Sequence, residues 1–135
     1  MKATIFWKTL VKPLVILLFF ISGVTNLLAQ KPQLQTKEEV EAAVEKEMTD
    51  FVKTPTFQNA IRKKFPKING EVTVDLGIDD KGKVNSFFKV ESSITQIDFM
   101  EFLSEKLLNH NFNFKLEKNK RFKIRQLIRI RDTGN

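Results

Sequence analysis

Residue types that carry chemistry are scarce in this chain. Its single histidine, His110, stands between Asn109 and Asn111 at the end of an apolar run, where it reads as a surface or capping residue rather than a base or a ligand. Nucleophilic catalysis of the Ser-His-Asp kind would have to use it, and no glycine elbow accompanies Ser92, Ser93 or Ser104. There is no cysteine, which excludes thiolate nucleophiles, thiolate metal sites and disulfides. Asp75, Asp79 and Asp80 lie close together, but Asp79-Asp80-Lys81-Gly82-Lys83 lacks the oxygen-ligand spacing of a calcium loop, and its two lysines offset the carboxylates. It reads as a solvated hairpin turn. Glu71, Glu91 and Glu101 can be drawn as acid/base pairs, with separation and burial left to the fold. Phosphate-loop and dinucleotide fingerprints are missing. The expectation is a chain with no catalytic set, no metal and no cofactor.

The remaining chemistry is electrostatic. Over the stretch 115–131, Lys115, Lys118, Lys120, Arg121, Lys123, Arg125, Arg129 and Arg131 face a single acid, Glu117. Arg121, Lys123, Arg125, Arg129 and Arg131 share one phase, opposite Phe122, Ile124, Ile128 and Ile130. A strand here would show an apolar face to the core and a row of positive charge to the outside. Such a row suits an acidic protein partner, lipid phosphate or an anionic polysaccharide; it also suits the blunting of an edge strand. The interleaved Phe residues share the core face, so they are not placed to stack on bases, and nucleic acid is not an expected partner.

The elements that must position this row begin after a distinct leader. Lys2, Lys8 and Lys12 are the only charges in the first 29 residues, Leu14 to Phe20 is wholly apolar, and Ala29 follows Leu27-Leu28. A basic n-region, an apolar h-region and a small final residue predict an export signal cleaved after Ala29. An uncleaved inner-membrane anchor over Val11 to Leu28 is the alternative, weakened by Pro13, Ser22, Gly23 and Asn26. The whole chain has a formal net charge of +7; without the three leader lysines, 20 basic residues stand against 16 acidic ones. The expected organisation is a signal peptide at 1–29, a short polar tether at 30–36 and one domain at 37–131, located in the periplasm or cell envelope. Ten of the thirteen Phe residues lie beyond the leader, which predicts a Phe-rich core.

Gly70 to Val90 organises that domain. Val72, Val74, Leu76 and Ile78 alternate with polar residues, Asp79-Asp80-Lys81-Gly82 turns with Gly82 suited to φ > 0, and Val84, Ser86, Phe88 and Val90 resume the period of two. This predicts a β-hairpin with one apolar face. Ahead of it, the Thr36-to-Glu39 capping box and the spacing of Val40, Val44 and Met48 predict a helix over 37–53. Thr54-Pro55 starts a second helix with Phe57, Ile61 and Phe65 on its buried stripe, stopped at Pro66. After the hairpin, Thr95 to Asp98 reads as another capping box, and Ile97, Phe99, Met100, Phe102, Leu103 and Leu107 predict a helix over 96–108 with a broad apolar arc. A second hairpin is expected from Phe112, Phe114 and Leu116, a turn at 117–120 and the basic strand. Within that strand, Gln126 on the apolar side and Leu127 off phase call for a bulge or a single exposed Leu. The fold class is α+β: a small antiparallel sheet of three to four strands with helices packed on one face.

The stretch from Phe65 to Ile130 resembles the C-terminal domain of TonB-type energy transducers, especially the divergent versions common in Bacteroidota. The matching residues are Phe65-Pro66, Gly70, the Val72, Val74, Leu76, Ile78 strand and Asp80-Lys81-Gly82-Lys83-Val84, followed by the expected strand, helix and final strand. His110-Asn111-Phe112-Asn113-Phe114 stands where the family usually has a Trp-x-Pro segment, and Leu127-Ile128-Arg129-Ile130 lacks the family's terminal Pro motif. Between Ala29 and Thr36 there is no room for a transducer's Pro-rich linker, so a stand-alone exported domain is expected. The resemblance implies strand pairing with a partner segment at the last edge.

Three functions are compatible with these residues. The first is an adaptor that binds an envelope protein through an edge strand or through Arg121, Lys123, Arg125, Arg129 and Arg131, with a homodimer also compatible. The second is a small apolar-ligand carrier or enzyme with a Phe-lined pocket. The third is a binder of anionic lipid or polysaccharide with salt-sensitive association.

Overall fold

Local signals decide most of the elements in the computed structural model, which describes residues 30–131; the leader and its cleavage site lie outside the described residues. In chain order the elements are β1 (Gln33–Leu34), α1 (Lys37–Lys53), α2 (Pro55–Lys64), β2 (Gly70–Ile78), β3 (Val84–Ser92), α3 (Ile97–Leu108), β4 (Lys115–Leu116) and β5 (Phe122–Ile130). Helix α1 begins with the expected capping box: the Glu39 N–H donates to Thr36 Oγ1 (3.2 Å), and the Thr36 and Gln35 N–H groups donate to Glu39 Oε2 (3.4 and 2.8 Å). Helix α2 is capped by Thr54 and carries Pro55 in its first turn, where no N–H is missed.

The main sheet has the order β3-β2-β5, with both pairings antiparallel. Helices α1 and α3 pack on its two flanks, α1 on β5 and α3 on β3, and α2 packs on α1. All three helices contribute to one core with Val72, Val74, Leu76 and Ile78 of β2 at its centre. The α+β class with helices on one sheet face therefore holds. The opposite face, carrying Glu71, Thr73, Asp75 and Gly77 in its central row, is not covered by any helix among the described residues. Among those residues no helix is long and apolar enough to cross a membrane.

Several local expectations are corrected. Segment 112–116 does not form a hairpin with β5: its backbone docks on the β2–β3 turn, the Phe112 N–H donating to the Gly82 C=O and the Leu116 N–H to the Asp80 C=O, while β5 pairs with β2. Instead Lys115–Leu116 pairs in parallel with Gln33–Leu34, so the polar segment before α1 is part of the fold rather than a free tether. The alternation of Phe112, Phe114 and Leu116 still reports burial, since all three are in the core. The second correction concerns β3. Its register on β2 shifts twice, and Asn85 and Val90 have no partner in the ladder. The extra residue at Asn85 reverses the facing of the residues after it, so Phe87 packs toward the core opposite Leu76 while Phe88 is 65% exposed.

Helix α3 starts at Ile97 with Gln96 as N-cap and no side-chain cap bond, so the second capping box does not form. Ser92 Oγ instead accepts from the Ile94 N–H, drawing the chain into a turn before the helix. Ile97, expected on the buried arc, is 73% exposed. Finally, β5 runs against β2 in continuous register from Phe122 to Ile130. Of the two readings of this strand the single exposed Leu holds: there is no bulge, the Gln126 side chain is buried on the core face and Leu127 is 42% exposed on the other.

Candidate partner-binding edge and basic sheet face

In the hairpin turn both aspartates are engaged by backbone N–H groups. Asp79 Oδ1 accepts from the N–H groups of Lys81 (3.0 Å) and Lys83 (2.9 Å), and Asp80 Oδ2 accepts from the Asn119 N–H (3.0 Å). The turn is docked rather than merely solvated, because Gly82 C=O accepts from the Phe112 N–H and Asp80 C=O from the Leu116 N–H, both at 2.8 Å. Among the described residues no three His, Cys, Asp or Glu side chains converge to hold a metal ion. Glu71 and Glu91 lie on exposed strand positions and Glu101 on an exposed position of α3, so none occupies an enclosed site.

His110 departs from the surface role expected of it. Its ring lies edge-on to Phe51 and Phe112, at centroid distances of 5.2 and 4.7 Å, and Nε2 is 3.4 Å from Glu47 Oε2. The other oxygen of Glu47 accepts from the Asn113 N–H at 2.7 Å. Glu47 thus ties α1 to the chain leaving α3, which is a structural task. The Phe-rich interior is likewise occupied by its own rings: Phe65 meets Phe99 and Phe102 at 5.4 and 5.5 Å, and Phe112 stacks on Phe114 at 5.3 Å.

The basic row is where the alternation of β5 puts it. Arg121, Lys123, Arg125, Arg129 and Arg131 are all exposed and in one phase, while Ile124, Gln126, Ile128 and Ile130 are buried. The row is not bare charge, however. Register sets Arg125 opposite Asp75 and Arg129 opposite Glu71. Arg125 makes a two-pronged bond to Asp75, Nε to Oδ1 at 2.9 Å and Nη2 to Oδ2 at 3.1 Å, and Lys123 Nζ lies 3.8 Å from Oδ2. Asp75 is 7% exposed in spite of its place on the open face. The Arg125 hydrogen bonds hold its carboxyl below the usual range against the opposing effect of burial, and the charges of Arg125 and Lys123 add to this. The same bonds push the Arg125 guanidinium up. Arg129 Nε donates to Glu71 Oε1 at 3.1 Å.

Beside this row lies a groove of about 630 Å³ between α1 and the outer side of β5. Arg125, Gln126, Leu127, Ile128, Arg129 and Arg131 form one wall, and Met48, Thr49, Val52 and Lys53 are among the residues of the other. The groove could not be read from either segment alone, since only the packing of α1 on β5 creates it. The carboxylate partners of the arginines had a partial signal, Glu71 and Asp75 in the polar phase of an alternating strand, but pairing them with Arg129 and Arg125 requires the register. No protein-family model, no curated protein and no solved structure matches this chain.

Proposed function

We propose that this chain is an exported protein-binding adaptor that takes up an extended segment of an envelope protein along the free edge of β5. The observation that carries the reading is the contrast between the two sheet edges. Strand β3 is interrupted by two register shifts, a common way of disabling an edge. Strand β5 is nine residues long, regular throughout, and borders an open groove. An edge strand presents alternate N–H and C=O groups outward, and addition of a strand satisfies them. The element order β2-β3-α3-β5 and the Phe65-Pro66, Gly70 and Asp80-to-Val84 residues support kinship with TonB C-terminal domains, and the leader composition supports a periplasmic location.

The test is amide hydrogen exchange in a complex isolated from the cell envelope with the tagged protein. Exchange at residues 125–131 is expected to slow on binding. An Arg129→Glu/Arg131→Glu variant, which leaves the Arg125–Asp75 fork intact, is expected to lose the partner. Protection confined to other elements, with β5 unchanged, would overturn the reading.

A further inference from the structure

The inner neighbour of β5 shows which side chains its two faces pair with. On its inner side β5 is paired with Glu71-Val72-Thr73-Val74-Asp75 of β2. The acids at the two ends of that segment meet Arg129 and Arg125; Val72 lies opposite Ile128, Thr73 opposite Leu127 and Val74 opposite Gln126. A strand added on the outer side of β5 in the same antiparallel sense meets the same five side chains on the same two faces, because side chains stand above and below a sheet and are shared by both neighbours. The guanidinium groups retain capacity for this. Each has five N–H donors, whereas Arg125 engages Asp75 through Nε and Nη2 only, and Arg129 engages Glu71 through Nε. On the other face the added strand meets Met48 and Val52 of α1 across the groove.

We infer that the β5 edge selects an extended segment of the pattern acid-apolar-X-apolar-acid, with both acids in the phase of Arg125 and Arg129 and both apolar residues facing α1. The inference rests on the edge-pairing reading and adds the partner's chemistry to it. Charge complementarity favours this occupant: Arg125, Arg129, Arg131 and Lys53 line the groove with Glu45 as its one acid. A second copy of this chain carrying the same Glu71-to-Asp75 pattern has it locked inside its own sheet, between β3 and β5.

The experiment titrates the full protein with two labelled peptides of equal length, one with the core Glu-Val-Thr-Val-Asp and one with both acids replaced by their amides, Gln-Val-Thr-Val-Asn, which no change of register can restore, following affinity and the amide shifts of residues 125–131. Two solvent-screened charge pairs predict that the first binds about tenfold more tightly. Arg129→Glu, at an exposed position, is expected to weaken the first peptide by a similar factor and to restore binding of Lys-Val-Thr-Val-Asp. Equal affinity of both peptides with shifts at 125–131 would overturn the acidic register while leaving edge pairing in place. If neither peptide moves those amides at millimolar concentration, both the acidic register and edge pairing are overturned.

Discussion

Gly82 shows how one residue can hold two parts of the chain together. Its φ of 80° lies in the region open to glycine, and a Cβ built there would meet the Phe114 carbonyl oxygen, a backbone atom that cannot swing away. Gly82→Ala is expected to destabilise the protein by about 2 kcal/mol or more, read as a lower urea midpoint at unchanged slope. Asp75 makes a different prediction. Its carboxyl is held below the usual range in the folded state by the Arg125 fork. That contribution is therefore present above the unfolded carboxylate value of about 3.9 and is lost as pH falls through the lower folded value. Asp75→Asn is expected to be less stable than the parent at neutral pH, with the difference closing in acid. A difference that stays constant between neutral pH and about pH 2 in urea titrations would show that the fork contributes nothing.

At the scale of elements, the caps divide the helices. Helix α1 has its reciprocal Thr36–Glu39 box, while α3 begins at Gln96 without a side-chain acceptor. Gln96 already has the extended backbone of an N-cap, φ −70° and ψ 117°. Gln96→Ser is expected to raise stability by about 0.5–1 kcal/mol, measured by thermal or urea unfolding. An unchanged midpoint would mean that the approach to α3 keeps a serine hydroxyl from reaching the first-turn N–H groups. Strand β3 illustrates the opposite situation, in which the element was legible but its faces were not. Val84, Ser86, Phe88 and Val90 obey a period of two, yet the unpaired Asn85 turns Phe88 outward beside Asp75. A bulge leaves little mark in the hydrophobic pattern because it is a count of backbone residues rather than a residue type.

For the molecule as a whole, the shortest strands close the fold. The β1–β4 pair joins residues 33–34 to 115–116, and the Lys115 N–H donates to the Pro32 C=O at 3.0 Å. Leu34 also packs against the core. Deleting residues 30–34 is expected to cost about 1–3 kcal/mol and to speed amide exchange at Lys115 and its neighbours. Unchanged exchange there would show that β4 is held by the hairpin turn alone, through Asp80 and Gly82.

Sequence alone determined what is encoded within a turn or two of chain. Thr36 with Glu39, Thr54 with Pro55 and the Val72-to-Ile78 alternation led directly to α1, α2 and β2, because caps and periodicities act between near neighbours. The same local alternation placed Arg121, Lys123, Arg125, Arg129 and Arg131 on one exposed face. Only the tertiary structure decided which strands are neighbours. A period of two tells a strand which side chains to bury, but backbone N–H and C=O groups accept any partner strand. Long-range closure therefore paired β5 with β2 and segment 115–116 with residues 33–34, turned Glu71 and Asp75 into the partners of two arginines, and opened the groove along the last edge.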